Sequence, residues 1–189
     1  FAREFGVNVI AADLWIKPGE NHKRIEEAGV ADRVTPMQAE AHALPFAENY
    51  FDAIVSLDAY HYFGTDDLYL GKLPKFLKPG GLLGIVCPGV REERDSWPDD
   101  LKPYYQADFG SFHSPQWWRH HWEKTGLVDV ETADWMDEGR ALWLEWLKLT
   151  KNDGWNGGAA REIDMLEHDT DGLLGLSRVV AKRALASSN

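Results

Sequence analysis

Residues Glu40 to Phe63 read EAHALPFAENYFDAIVSLDAYHYF. Leu44-Pro45-Phe46 makes a turn, a polar loop follows, and Phe51-Asp52-Ala53-Ile54-Val55-Ser56-Leu57 is an apolar run too short for a typical helix. The run predicts a strand buried on both faces, as in parallel sheets covered by helices. Asp58, Tyr60, His61 and Tyr62 come directly after it. Ligands of open parallel α/β sheets bind outside the carboxyl ends of the strands, so this strand end is the expected active-site edge.

Working outward, the chain alternates strand and helix signals. Phe1 to Gly6 reads as the last turn of a helix stopped by glycine, and Val7 to Ala12 as a short strand ending at Asp13. Pro18 to Ala28 is a predicted helix with Gly29 as its stop, and Arg33 to Gln38 a strand leading to Glu40. Thr65 is expected to cap a short helix from Asp66 to Gly71, which Pro74 breaks. Lys78-Pro79-Gly80-Gly81 predicts a tight turn before the buried strand Leu82 to Cys87. Regular patterning is lost from Pro88 to Phe112, where scattered rings suggest a packed lid. Ser114-Pro115 then starts a helix that Gly126 ends. A strand from Leu127 to Ala133, helices at Arg140–Thr150 and Ala159–His168, and a last strand at Ser177–Arg183 complete the order. The expected fold is α/β: a Rossmann-like, mostly parallel sheet with helices on both faces and an antiparallel C-terminal hairpin. One domain is expected over 1–189, with 88–126 as its aromatic substrate cap.

Twenty Lys and Arg against 31 Asp and Glu leave a net charge of −11, which argues against a nucleic-acid partner. The single Cys87 cannot form an intramolecular disulfide and fits a reducing cytoplasm. No apolar run approaches the roughly 18 residues of a membrane span, and no secretory signal is read at the start. The expectation is a cytoplasmic protein, with a homodimer left open. Trp118 and Trp122 stand four apart on a predicted helix, a core spacing. The adjacent His120 and His121 point about 100° apart on that helix, so no metal site is expected.

Asp13 and Glu40 follow successive strands. A carboxylate at the end of a strand can accept both hydroxyls of a ribose, with the adjacent Leu14 packing on an adenine face. Glu40, the Ala41 amide and the Leu44-Pro45-Phe46 loop suit an adenine amine and ring nitrogen. With Phe51 to Val55 and Leu77-Lys78-Pro79-Gly80-Gly81, these residues resemble the class I S-adenosylmethionine-dependent methyltransferases, in particular the small-molecule group. The resemblance covers roughly residues 1–90. It implies S-adenosylmethionine as cofactor and a small-molecule methyl acceptor. It also implies that Asp13 and Leu14 hold the ribose side, Glu40 and Ala41 the adenine, and Ser56, Leu57 and Asp58 the methionine end. The family's glycine-rich loop and its strand have no counterpart in the sequence, so the first strand of the sheet is expected to be missing, with an upstream segment of about 40–60 residues.

Methyl transfer needs positioning more than chemical machinery, because a sulfonium is already an activated leaving group. His61 and Tyr60 are the expected catalytic residues, with His61 as base if the acceptor must lose a proton. Tyr62, Tyr104, Tyr105, Phe112 and His113 are the expected substrate residues, facing a common cavity with Tyr60 and His61. Two rival readings are an NAD-type oxidoreductase, in which Asp13 holds the ribose, and a non-catalytic protein that keeps the fold.

Overall fold

The computed structural model describes residues 1–151 and 158–185; Trp155 lies outside them. The described chain divides into two compact units, Phe1–Phe46 and Ala47 onward.

In the first unit, α1 (Ala2–Phe5) ends at Gly6, whose φ of 65° is open to glycine at little cost. β1 (Val9–Asp13) lies parallel to β2 (Val34–Gln38), with Asp13 opposite Gln38. Between them α2 (Pro18–Glu27) starts on Pro18 and buries Ile25. Gly29, at φ 69°, turns the chain after it. This is a right-length βαβ crossover with the predicted punctuation at both helix ends.

The second unit holds a four-stranded sheet in the order β3-β4-β6-β5. β3 (Phe51–Leu57) and β4 (Leu77–Val90) are parallel. β6 (Leu174–Arg183) runs antiparallel to both β4 and β5 (Val128–Trp135). The parallel pairs and the antiparallel final strand are those of the expected α/β fold. Ser114 caps α3 (Pro115–Glu123), its hydroxyl accepting from the Trp117 amide at 3.2 Å. α4 (Gly139–Thr150) and α5 (Ala159–His168) pack on each other and, with β6, enclose a core containing Trp143, Leu147, Met165 and Leu166. A second core is almost wholly aromatic: the Tyr60 ring lies 5.6 Å from Trp118, 5.6 Å from Trp122 and 6.0 Å from Tyr69. Trp118 and Trp122 are fully buried, as their spacing predicts.

Four local expectations are corrected. β3 is not buried on both faces: Val55 is 47% exposed and Leu57 59%, alternate residues that share one open face of the strand. The Lys78-Pro79-Gly80-Gly81 turn does not precede the strand but is folded into β4 as an excursion. Phe51 pairs with Leu77 and Ala53 already with Leu82. Gly80 takes φ 74°, and at Gly81 a Cβ would stand 2.9 Å from the Lys78 carbonyl. β4 also runs on to Val90, past the predicted end at Cys87. Finally, Thr65 caps no α-helix. The Asp66 carboxylate accepts from the Leu68 amide at 2.9 Å, and two short 3₁₀ turns, Tyr69–Gly71 and Leu73–Phe76, take the place of the helix.

Candidate functional site

β3 ends in a sharp reversal. Asp58 takes φ 51°, a left-handed conformation that aspartate tolerates better than most residues, while its amide donates to the Val86 carbonyl at 2.8 Å. The reversal leads straight into a 3₁₀ turn over Tyr60–Tyr62. Such a turn has three residues per revolution, so three consecutive side chains cannot share one direction. Tyr60 points into the aromatic core, fully buried, and covers Gly64 so closely that a Cβ there would meet the ring at 1.9 Å. Burial drives the Tyr60 phenol far upward and keeps it protonated. His61 and Tyr62 turn the other way.

They open on a cavity of about 250 Å³ at the carboxyl ends of the parallel β3 and β4. Asp58, His61, Tyr62 and Pro88 form its sheet side. Asp108, Phe109 and Phe112 contribute from the ring-rich segment, within and just after a 3₁₀ stretch at Ala107–Ser111. Trp143, Trp146 and Leu147 come from one stripe of α4, and Glu162 from α5. Rings run continuously along the wall: His61 meets Phe112 edge-on at 5.7 Å, and Phe112 meets Trp143 at 5.9 Å. The Tyr62 ring lies 4.0 Å from His61.

Burial sets the charge states here. It lowers the His61 pKa to about 4, with the Asp108 charge pulling weakly the other way, so the imidazole is neutral at pH 7. It raises Asp58 from 3.8 to about 6 although that carboxylate still reaches solvent. Glu162 is also raised by burial, against a hydrogen bond with Trp143 that favours its ionised form. His61 is 1% exposed, and its Nδ1 finds no hydrogen-bond partner.

Of the expected acceptor residues, the structure brings His61, Tyr62 and Phe112 together and adds Asp58. It does not bring Tyr60, Tyr104, Tyr105 or His113 to this cavity. The Tyr104 hydroxyl donates to Asp164 at 2.6 Å on the outside of α5. Tyr105 is 46% exposed and meets Trp97 edge-on. His113 stacks on Trp117 at 3.6 Å, and its Nδ1 lies 3.4 Å from Glu93. Asp108, Phe109, Trp143, Trp146, Leu147 and Glu162 went unpredicted. Trp143, Trp146 and Leu147 carry a sequence signal, since positions i, i+3 and i+4 form one helical stripe. Glu162 has none.

In the first unit, Asp13 and Glu40 both lie at the carboxyl ends of the β1–β2 pair. Asp13 Oδ1 accepts from the amides of Trp15 at 2.7 Å and Ile16 at 2.8 Å, which fixes the turn and the carboxylate together. Glu40 Oε1 lies 2.7 Å from His42 Nδ1, and Ala41 begins a 3₁₀ turn, Ala41–Ala43. Leu14 is 45% exposed beside Asp13. Ser56 and Leu57 close β3 just before Asp58. Cys87 is fully buried and its thiol is pushed up to about 12, so it packs as a small apolar group. Among the described residues no group of three or more His, Cys, Asp or Glu side chains is placed to hold a metal ion.

Residues 1–85 match a family model described as a methyltransferase domain. Over these residues the chain is similar to the class I S-adenosylmethionine-dependent methyltransferases. One curated relative, erythromycin 3''-O-methyltransferase of Saccharopolyspora erythraea, is 29% identical over 85% of this chain and 54% of its own. The chain thus spans about half the length of the curated relatives it matches. Two solved structures share the fold. A putative sarcosine dimethylglycine methyltransferase from Galdieria sulphuraria aligns with TM-score 0.73 at 20% identity, over 97% of this chain and 72% of that one. Phosphoethanolamine N-methyltransferase 2 of Haemonchus contortus, in complex with S-adenosyl-L-methionine, aligns with TM-score 0.72 at 22% identity, over 97% of this chain and 45% of that one.

Proposed function

We propose that this protein transfers a methyl group from S-adenosylmethionine to a small-molecule acceptor. The observation that carries the reading is the placing of Asp13 and Glu40 at the carboxyl ends of one parallel strand pair, inside the residues that match the methyltransferase family. When bound, S-adenosylmethionine supplies a methyl group already activated on a sulfonium. The chain's residues then bind, orient and shield. Asp13 and Leu14 would hold the ribose, Glu40 and Ala41 the adenine, and Ser56, Leu57 and Asp58 the methionine end. The pre-tied Asp13 carboxylate fits this role, since one oxygen is fixed by the chain and the other is left for hydroxyls. The cavity at the ends of β3 and β4 is the acceptor site. His61, neutral and with its Nδ1 unpaired among the described residues, orients the acceptor rather than drawing a proton from it, because a group of pKa about 4 is a weak base at pH 7. The net charge of −11 speaks against nucleic acid as acceptor, and the lone buried Cys87 is in keeping with a reducing cytoplasm.

Calorimetric titration with S-adenosylmethionine and, in parallel, NAD tests the reading. In a full-length protein that includes the glycine-rich loop, S-adenosylmethionine should bind and NAD should not. In that protein Asp13→Ala should weaken binding by roughly 2–4 kcal/mol, from two unmade charge-assisted hydrogen bonds. Asp13→Asn keeps an oxygen for the Trp15 and Ile16 amides, so it should weaken binding without disturbing the turn. Unchanged affinity in both variants would remove Asp13 from the site.

A further inference from the structure

We propose that the cavity at the ends of β3 and β4 is built for a protonated amine, so that the acceptor is a small molecule with an apolar body that is anchored through its ammonium group; that nitrogen, with no lone pair while protonated, is not the atom that takes the methyl. Three carboxylates, Asp58, Asp108 and Glu162, reach one enclosure of about 250 Å³ from three separate parts of the chain. Among the described residues that line it there is no lysine or arginine. Carboxylates brought together without a cation favour the protonated form: Glu162 and Tyr62 are raised first by burial and further by the charges of Asp58 and Asp108. A bound cation relieves that repulsion. The rings of Trp143 and Phe112 supply the second half of a cation site, because aromatic faces attract an ammonium and cover the apolar part of its carrier.

An acidic patch lined with rings could be a solvated rim, but His61 argues otherwise. Its side chain is 1% exposed on the cavity wall, and its Nδ1 has no hydrogen-bond partner among the described residues. A buried polar atom left unpaired is costly, and an ammonium N–H is a donor that would satisfy it. Because burial keeps the imidazole neutral, it offers a lone pair instead of a competing positive charge. The carboxylates are not grouped to share a metal ion, which leaves an organic cation as the ligand that matches both charge and shape.

This proposal rests on the reading of the cavity as the acceptor site, and the experiment separates the two. The full chain is titrated calorimetrically with 2-phenylethylamine and with its neutral analogue 2-phenylethanol, without S-adenosylmethionine, and S-adenosylmethionine is titrated separately into the full-length protein that includes the glycine-rich loop. The amine should bind at least tenfold tighter than the alcohol. The double variant Asp108→Asn/Glu162→Gln should lose that preference while keeping the thermal melt of the parent, and Glu162→Gln alone should lose part of it. Equal binding of amine and alcohol, binding of neither, or a preference that survives the double variant would overturn the proposal. Binding of S-adenosylmethionine with no amine preference would bring down the acceptor class alone. Amine preference without S-adenosylmethionine binding would support the cation site and bring down the methyl-transfer reading.

Discussion

Asp58 and His61 line the same cavity, yet their titrations act on stability with opposite sign. His61 has its pKa lowered from 6.5 to about 4. Between those values the unfolded chain takes up a proton that the folded one refuses, so stability is lost as the pH falls. Asp58 is raised from 3.8 to about 6, and here the folded chain keeps a proton that the unfolded one releases, so stability is lost as the pH rises. Glu162 shifts in the same direction as Asp58, and the Asp108 charge faces His61, Tyr62 and Glu162. The parent protein should therefore show a flattened pH profile between roughly 4 and 6.5. Thermal melts across that window check it. His61→Phe should remove the acid-side loss, so the variant gains on the parent as the pH drops. Asp58→Asn should steepen that loss. Parallel curves for parent and both variants would mean that neither shift exists. At this scale the sequence was only half legible. Asp-Ala-Tyr-His-Tyr marks the site, but which ring enters it depends on the 3₁₀ turn and on Gly64 making room for Tyr60.

Helix and strand ends were legible wherever a local rule fixes them. Gly6, Gly29 and Gly126 all take the left-handed conformation expected of helix stops, and α5 keeps its predicted bounds of Ala159–His168. What could not be read was convergence. α4 and α5 bring Trp143, Trp146 and Glu162 to β3 only because of how they pack on each other and on β6. One residue secures the joint between α5 and β6. Asp169 is 1% exposed, and its two oxygens accept from the amides of Leu173 at 2.9 Å and Leu174 at 2.8 Å. Asp169→Ala leaves both buried amides unpaired, which should lower stability by roughly 2–4 kcal/mol. Urea unfolding measures it. A loss below about 1 kcal/mol would show that the joint is held by the apolar core instead.

The whole molecule carries a net charge of −11. Its field should attract a cationic acceptor and be screened as the Debye length shrinks from about 30 Å at 0.01 M salt to about 10 Å at 0.1 M. Amine affinity should therefore fall several-fold over that range while binding of the neutral alcohol stays level, and an equal response of both would remove long-range attraction from the account. The class of the whole fold was the most legible level of all, since parallel strands with helical crossovers follow from short apolar runs set between helix signals. The order of the sheet has a further consequence for how the chain is made. β4 has β3 on one side and β6 on the other, and among the described strands β5 pairs with β6. Leu82 meets its β6 partner Lys182 about 100 residues later. During synthesis β4 must therefore leave the ribosome and wait, one edge bare, until β6 emerges. This long-range closure makes folding slow and leaves an apolar edge exposed to other nascent chains meanwhile. A stop codon placed just before Leu174 would leave β4 and β5 with no strand between them.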